Sequence, residues 1–128
     1  MKDLISGHRF VRICAWLCLA CVVYFTLGPI EFRPELIHGE ADVDRFAAYV
    51  VLAVFFAWAY PGRLVLVIFT IAALAVSLEG LQLLTADRHG HVRDLLFKLC
   101  GAAVGLQIGV LTLKVYALRL KQTPVGRP

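Results

Sequence analysis

Charge is scarce in this chain. Only 17% of its 128 residues are Asp, Glu, Lys or Arg, against roughly 25% in an ordinary soluble domain. Alternation of polar and apolar residues is missing as well. That argues against strands, and an open sheet cannot cross lipid because its edge groups go unsatisfied. The four cysteines (Cys14, Cys18, Cys21 and Cys100) all sit inside apolar runs. They offer neither a disulfide framework nor a paired metal spacing, and cysteine in such a setting behaves as a small hydrophobe. No internal repeat and no low-complexity stretch is present. The net charge is +4, but the basic residues form no stripe, which excludes a nucleic-acid surface.

What remains is apolar. Hydrophobic residues make up 60% of the chain, and the mean hydropathy is +0.79. A soluble domain this small cannot bury so much apolar surface; lipid removes the conflict. Four apolar runs cover residues 13–27, 46–60, 64–84 and 95–113, the last interrupted by Lys98. A hydrocarbon core about 30 Å thick needs about 20 helical residues. The third and fourth runs meet this directly. The first two reach it by borrowing Arg12, or Asp44 and Arg45, whose side chains reach toward the interface. The sequence therefore predicts an all-α polytopic membrane protein, a bundle of four transmembrane helices. Tyr24, Tyr49, Trp58 and Tyr60 are candidate interfacial anchors, with plain packing an equal alternative for Tyr49.

The first run also resembles a signal peptide, with Lys2, Arg9 and Arg12 ahead of an apolar core. The run ends in Thr-Leu-Gly-Pro-Ile-Glu, which is no cleavage site, so it is expected to stay. Orientation follows from the basic residues. With both termini in the cytoplasm, the inner ends hold Lys2, Arg9, Arg12, Arg63, Lys114, Arg119, Lys121 and Arg127. The outer ends hold Arg33, Arg45, Arg88, Arg93 and Lys98. The loop at 28–44 is acidic and outside. One domain covers residues 1–120, and 121–128 is expected to be a short disordered cytoplasmic tail.

The polar residues concentrate between positions 77 and 105. Glu79 lies near the end of the third run, and an ionisable group there is a functional candidate by default. Gln82 shares its face at i+3. Arg88 and Arg93, in the next loop, are its expected partners. Asp94 is expected to begin the fourth helix and suits an N-cap better than a catalyst. Lys98 lies at i+4 from Asp94, and the same stripe continues through Gly101, Gly105 and Gly109, spaced for close helix packing. The fourth helix is thus expected to pack against the third. His89 and His91 match no established metal-ligand spacing, so no metal or cofactor is assigned. No serine or cysteine nucleophile stands beside a histidine.

Glu79-x-x-Gln82, Arg88, Asp94 and Gly101-x-x-x-Gly105 resemble the second signature of the VanZ-like membrane proteins. The stretch at 41–55 resembles the first, with Phe46 and Tyr49 matching and Arg45 standing where a histidine is usual. Ala41 and Asp42 replace the usual Asp-Lys pair, and Lys98 replaces an asparagine. The Thr26-Leu27-Gly28-Pro29 ending is also similar. The resemblance spans roughly residues 13–118. The family is named for a protein associated with teicoplanin resistance in bacteria, and most members have no established activity. The resemblance implies residence in a bacterial inner membrane and an envelope role. Within that frame the outer cluster is expected to bind a lipid-linked or glycopeptide-related ligand, or a membrane protein partner. Two alternatives stand beside it. One is an enzyme on a lipid-borne substrate, with Glu79 or Asp94 as acid/base. The other is a small transporter built from several copies, and the glycine stripe serves a homo-oligomer as well as an internal contact.

Overall fold

The computed structural model describes residues 2–27, 41–83 and 92–122, with side chains described at 9–27, 42–81 and 92–121. Among these the chain is all-helical: α1 (Lys2–Leu27), α2 (Ala41–Ala59), a 3₁₀ turn (Pro61–Arg63), α3 (Leu64–Leu83) and α4 (Val92–Gln122). Residues 123–128 of the expected tail, 28–40 of the expected acidic loop and the loop carrying Arg88, His89 and His91 lie outside the described residues. Lys121 and Gln122, expected in the tail, continue α4, and residues 41–44, expected in the loop, open α2, because each adjoins a helix that carries on through it.

Among the described residues three stretches are long and apolar enough to cross a membrane: Arg9–Leu27, Pro61–Leu81 and Val92–Lys121. With 1.5 Å of rise per residue, the 20 residues of α3 extend about 30 Å, matching a hydrocarbon core. The chain is a membrane protein by this measure. α2 falls short of it because Asp42 and Asp44 occupy its first turn and Arg45 follows directly. Its position explains how that is tolerated. α2 supplies Tyr49, Leu52, Ala53, Phe56, Ala57 and Ala59 to the buried core, and Val51 is its one exposed large hydrophobic. α1, α3 and α4 carry the outward apolar side chains, among them Leu17, Phe69 and Leu111. α2 is the inner helix, wrapped by the others, and its charges face protein rather than lipid.

The seam between α2 and α4 is the tightest in the molecule. A methyl group on Gly101 would run into the Phe46 carbonyl oxygen, and one on Gly105 into that of Val50. One on Gly109 would lie 2.6 Å from the Ala57 Cβ. The partners rise together along both helices, so α2 and α4 are parallel. This corrects the sequence expectation: the glycine stripe serves α2, not α3. The stripe marks a close-packing face without naming the helix that fills it, and adjacency in sequence favoured the wrong one.

At the 3₁₀-turn end, Trp16 Nε1 donates to Tyr60 Oη at 3.1 Å and Trp58 Nε1 to Thr112 Oγ1 at 2.8 Å. Arg12 lies over the Tyr60 ring at 5.4 Å. Aromatic groups with polar tips suit a membrane–water boundary. Trp58 and Tyr60 thus share one end of the bundle, whereas Tyr49 is enclosed within it, 1% exposed. Cys14 and Cys18 are half-buried, but Cys21 is exposed, so the three do not form one packed face.

Candidate functional site

The polar residues gather at the opposite end, where the first turns of α2 and α4 meet the last turns of α3. Lys98 is the centre. Its Nζ lies 2.7 Å from Glu79 Oε2 and 2.9 Å from Asp94 Oδ2. Lys98 is 1% exposed, Glu79 and Asp94 scarcely more. Asp94 also meets Arg45 Nε through Oδ1 at 3.1 Å. Arg45 bonds Asp42 Oδ1 at 3.2 Å, and Asp42 Oδ2 meets Arg93 Nε at 3.2 Å. The result is one chain of alternating charge: Arg93, Asp42, Arg45, Asp94, Lys98, Glu79. It starts at the 76%-exposed Arg93 side chain and ends inside the bundle.

Its arithmetic is balanced. Three cations (Arg45, Arg93, Lys98) face three anions (Asp42, Glu79, Asp94). Removing charges from water costs several kcal/mol per ion unless each finds a partner, and alternation gives every member at least one. The i,i+4 spacing places Asp94 and Lys98 on one face of α4, and α2 being parallel to α4 brings Arg45 and Asp42 beside them.

Hydrogen-bonding capacity is left over in the interior. Tyr49 Oη and Glu79 Oε1 are enclosed and have no hydrogen-bond partner among the described residues. Asp94 Oδ1 has no aligned hydrogen bond either, but its 3.1 Å ion pair with Arg45 gives it a partner. At the outer rim the Arg93 guanidinium is fixed on one edge by Asp42 and lies over the Phe97 ring at 5.7 Å.

Of the residues singled out in the sequence, Glu79, Arg93 and Asp94 belong to this network. Gln82 lies on α3, but its side chain is outside the described set, as is Arg88. Two expectations need correcting. Glu79 is neutralised by Lys98 rather than by Arg93, because α4 carries Lys98 one turn deeper into the bundle. Asp94 is not the start of α4. The helix begins at Val92, so Asp94 lies in the first turn and directs its carboxylate to Lys98 and Arg45. Sequence reasoning gave too little weight to Lys98, Arg45, Asp42 and Tyr49. The signal for Lys98 was present: a lysine in the middle of an otherwise apolar run requires an acidic partner. Among the described residues no group of His, Cys, Asp and Glu is arranged to hold a metal ion.

No family model, curated protein or solved structure matches the chain. The VanZ-like resemblance therefore rests on the signature residues themselves.

Proposed function

We propose that this is a VanZ-like protein of a bacterial inner membrane, with both termini cytoplasmic, that binds the polar head of a lipid-linked envelope ligand at the outer end of its bundle. The observation behind this reading is the graded ion chain. Its inner members lock one another, while Arg93 at the rim is paired with Asp42 and keeps a 76%-exposed side chain. A guanidinium fixed on one edge is prepared to take a phosphate or carboxylate by paired hydrogen bonds, and little side-chain freedom is left to lose on binding.

The acid/base alternative has less support. Glu79 and Asp94 share the same ammonium, which keeps both carboxylates engaged. The binding reading assigns them a positioning role, holding α2, α3 and α4 in register beneath Arg93.

Purification in mild detergent, followed by mass spectrometry of the lipids that stay bound, tests this. The wild-type protein should retain an anionic lipid-linked species, and Arg93→Ala should lose it while melting at an unchanged temperature. Equal retention by both proteins would refute a ligand site at Arg93. Turnover of a candidate lipid abolished by Glu79→Gln would favour the enzyme instead.

A further inference from the structure

A second feature lies toward the other end of the molecule. α3 and α4 touch near Glu79 and Lys98 but leave an open cleft of about 450 Å³ beyond it, lined by Leu64, Ile68, Leu106, Gln107, Val110, Leu111 and Lys114. The cleft faces outward from the bundle. Gln107 is exposed on its wall and has no hydrogen-bond partner among the described residues. The depth of Gln107 makes this costly. Trp58 bonds Thr112 at the aromatic boundary, and Gln107 lies five residues further in, about 7 Å at 1.5 Å per residue. An amide left unpaired in hydrocarbon is unfavourable.

Two occupants fit an apolar cleft in a membrane, an acyl chain or another helix. An acyl chain offers Gln107 no donor and no acceptor. The ester groups of that lipid would lie nearer Lys114, seven residues or about 10 Å away along α4. A second copy does supply the missing partner. Two copies inserted in the same sense are related by a twofold axis along the membrane normal, so each residue on the axis meets its own counterpart at equal depth. An amide has both donor and acceptor and is complementary to itself. Beside Gln107, the residues Val104, Ile108, Leu111 and Val115 form an exposed apolar ridge on α4, spaced i, i+4, i+7, i+11 as a packing helix requires. The glycine stripe is already filled by α2 and is not free for this contact.

We propose that a second copy of this chain docks here, the α4 ridge of each copy seated in the α3/α4 cleft of the other, with Gln107 hydrogen-bonded to the partner's Gln107. A hydrogen bond of this kind between membrane helices contributes modestly, so Gln107→Leu should weaken the dimer about 3- to 20-fold. The test is a dilution series of fluorescently labelled protein in phospholipid vesicles, read by energy transfer and paired with cysteine cross-linking. In a background with Cys14, Cys18, Cys21 and Cys100 replaced by Ala, Ile108→Cys should form a disulfide-linked dimer. Leu17→Cys, exposed on α1, should not. Energy transfer that Gln107→Leu leaves unchanged, or strongest cross-linking at Leu17, would overturn the proposal. A monomeric Arg93→Ala variant that still retains an anionic phospholipid in native mass spectrometry would do the same and would give the cleft to lipid. None of these readouts depends on Arg93.

Discussion

α2 and α3 are both held against α4, but by different physics. The α2 seam is a matter of shape. Three glycines let two backbones approach until no added methyl group would fit, and van der Waals contact over that length is the chief attraction available inside a bilayer. α3 touches α4 much less, and leaves a cleft between its first turns, at Leu64 and Ile68, and the 106–114 stretch of α4. Its strongest attachment is electrostatic, the Glu79–Lys98 pair at one end. Because lipid is as apolar as leucine, a loosely packed helix gains nothing from hydrophobicity alone. A short-range ionic contact in a dry interior can take over that role, provided all its charges are paired.

The largest effect expected from this contrast is at Lys98. Lys98→Met leaves Glu79 buried without a counter-charge and deprives Asp94 of one of its two. Breaking a buried pair in this way costs about 3–5 kcal/mol. Unfolding by SDS titration should register that loss, and α3 should detach first. The double variant Lys98→Met with Glu79→Met sharpens the point. It removes both charges together, and apolar replacement of a buried pair is often neutral, so most of the stability should return. Continued instability in the double variant would mean that the pair does more than hold α3 in place.

The next effect is in the seam. Gly105→Leu should cost about 1–3 kcal/mol, the usual penalty for overpacking, because the side chain must displace Val50 and Ala53. Gly80→Leu is the control. A methyl at Gly80 meets nothing within 4 Å, so that variant should melt within about 0.5 kcal/mol of the parent. Equal sensitivity at both positions would erase the distinction between the shape-held and charge-held helices.

Much of this architecture was legible in the residues. The apolar runs announce the helices because lipid imposes a length and a composition together. The Asp94–Lys98 spacing announces a shared face. What the sequence could not convey was pairing between elements distant in the chain. Glycines at every fourth position specify a close approach to some helix, and only the assembled bundle identifies α2. Glu79 advertised a need for a cation, but three basic residues lay within reach along the sequence. Packing selected Lys98, the one already carried into the interior. α2 itself read as marginal because its first turn is charged, and being wrapped by the other helices is what makes that composition tolerable. The ligand assigned to the outer cluster has no such internal check, since a recognition site is defined as much by its absent partner as by its own side chains.

The smallest effect tests whether shape alone closes the seam at its far end. There Trp58 Nε1 donates to Thr112 Oγ1, and that hydroxyl turns back to the carbonyl oxygens of Ile108 and Gly109 at 2.9 Å. The threonine therefore remains satisfied by its own helix when the indole is removed. Trp58→Phe deletes a single interhelical hydrogen bond and leaves an aromatic ring in place. Such bonds between membrane helices average about 0.6 kcal/mol, and SDS titration should show a loss of that order. A loss above about 2 kcal/mol would mean that the seam depends on this polar clasp, and the glycines would then be a consequence of the close approach rather than its cause.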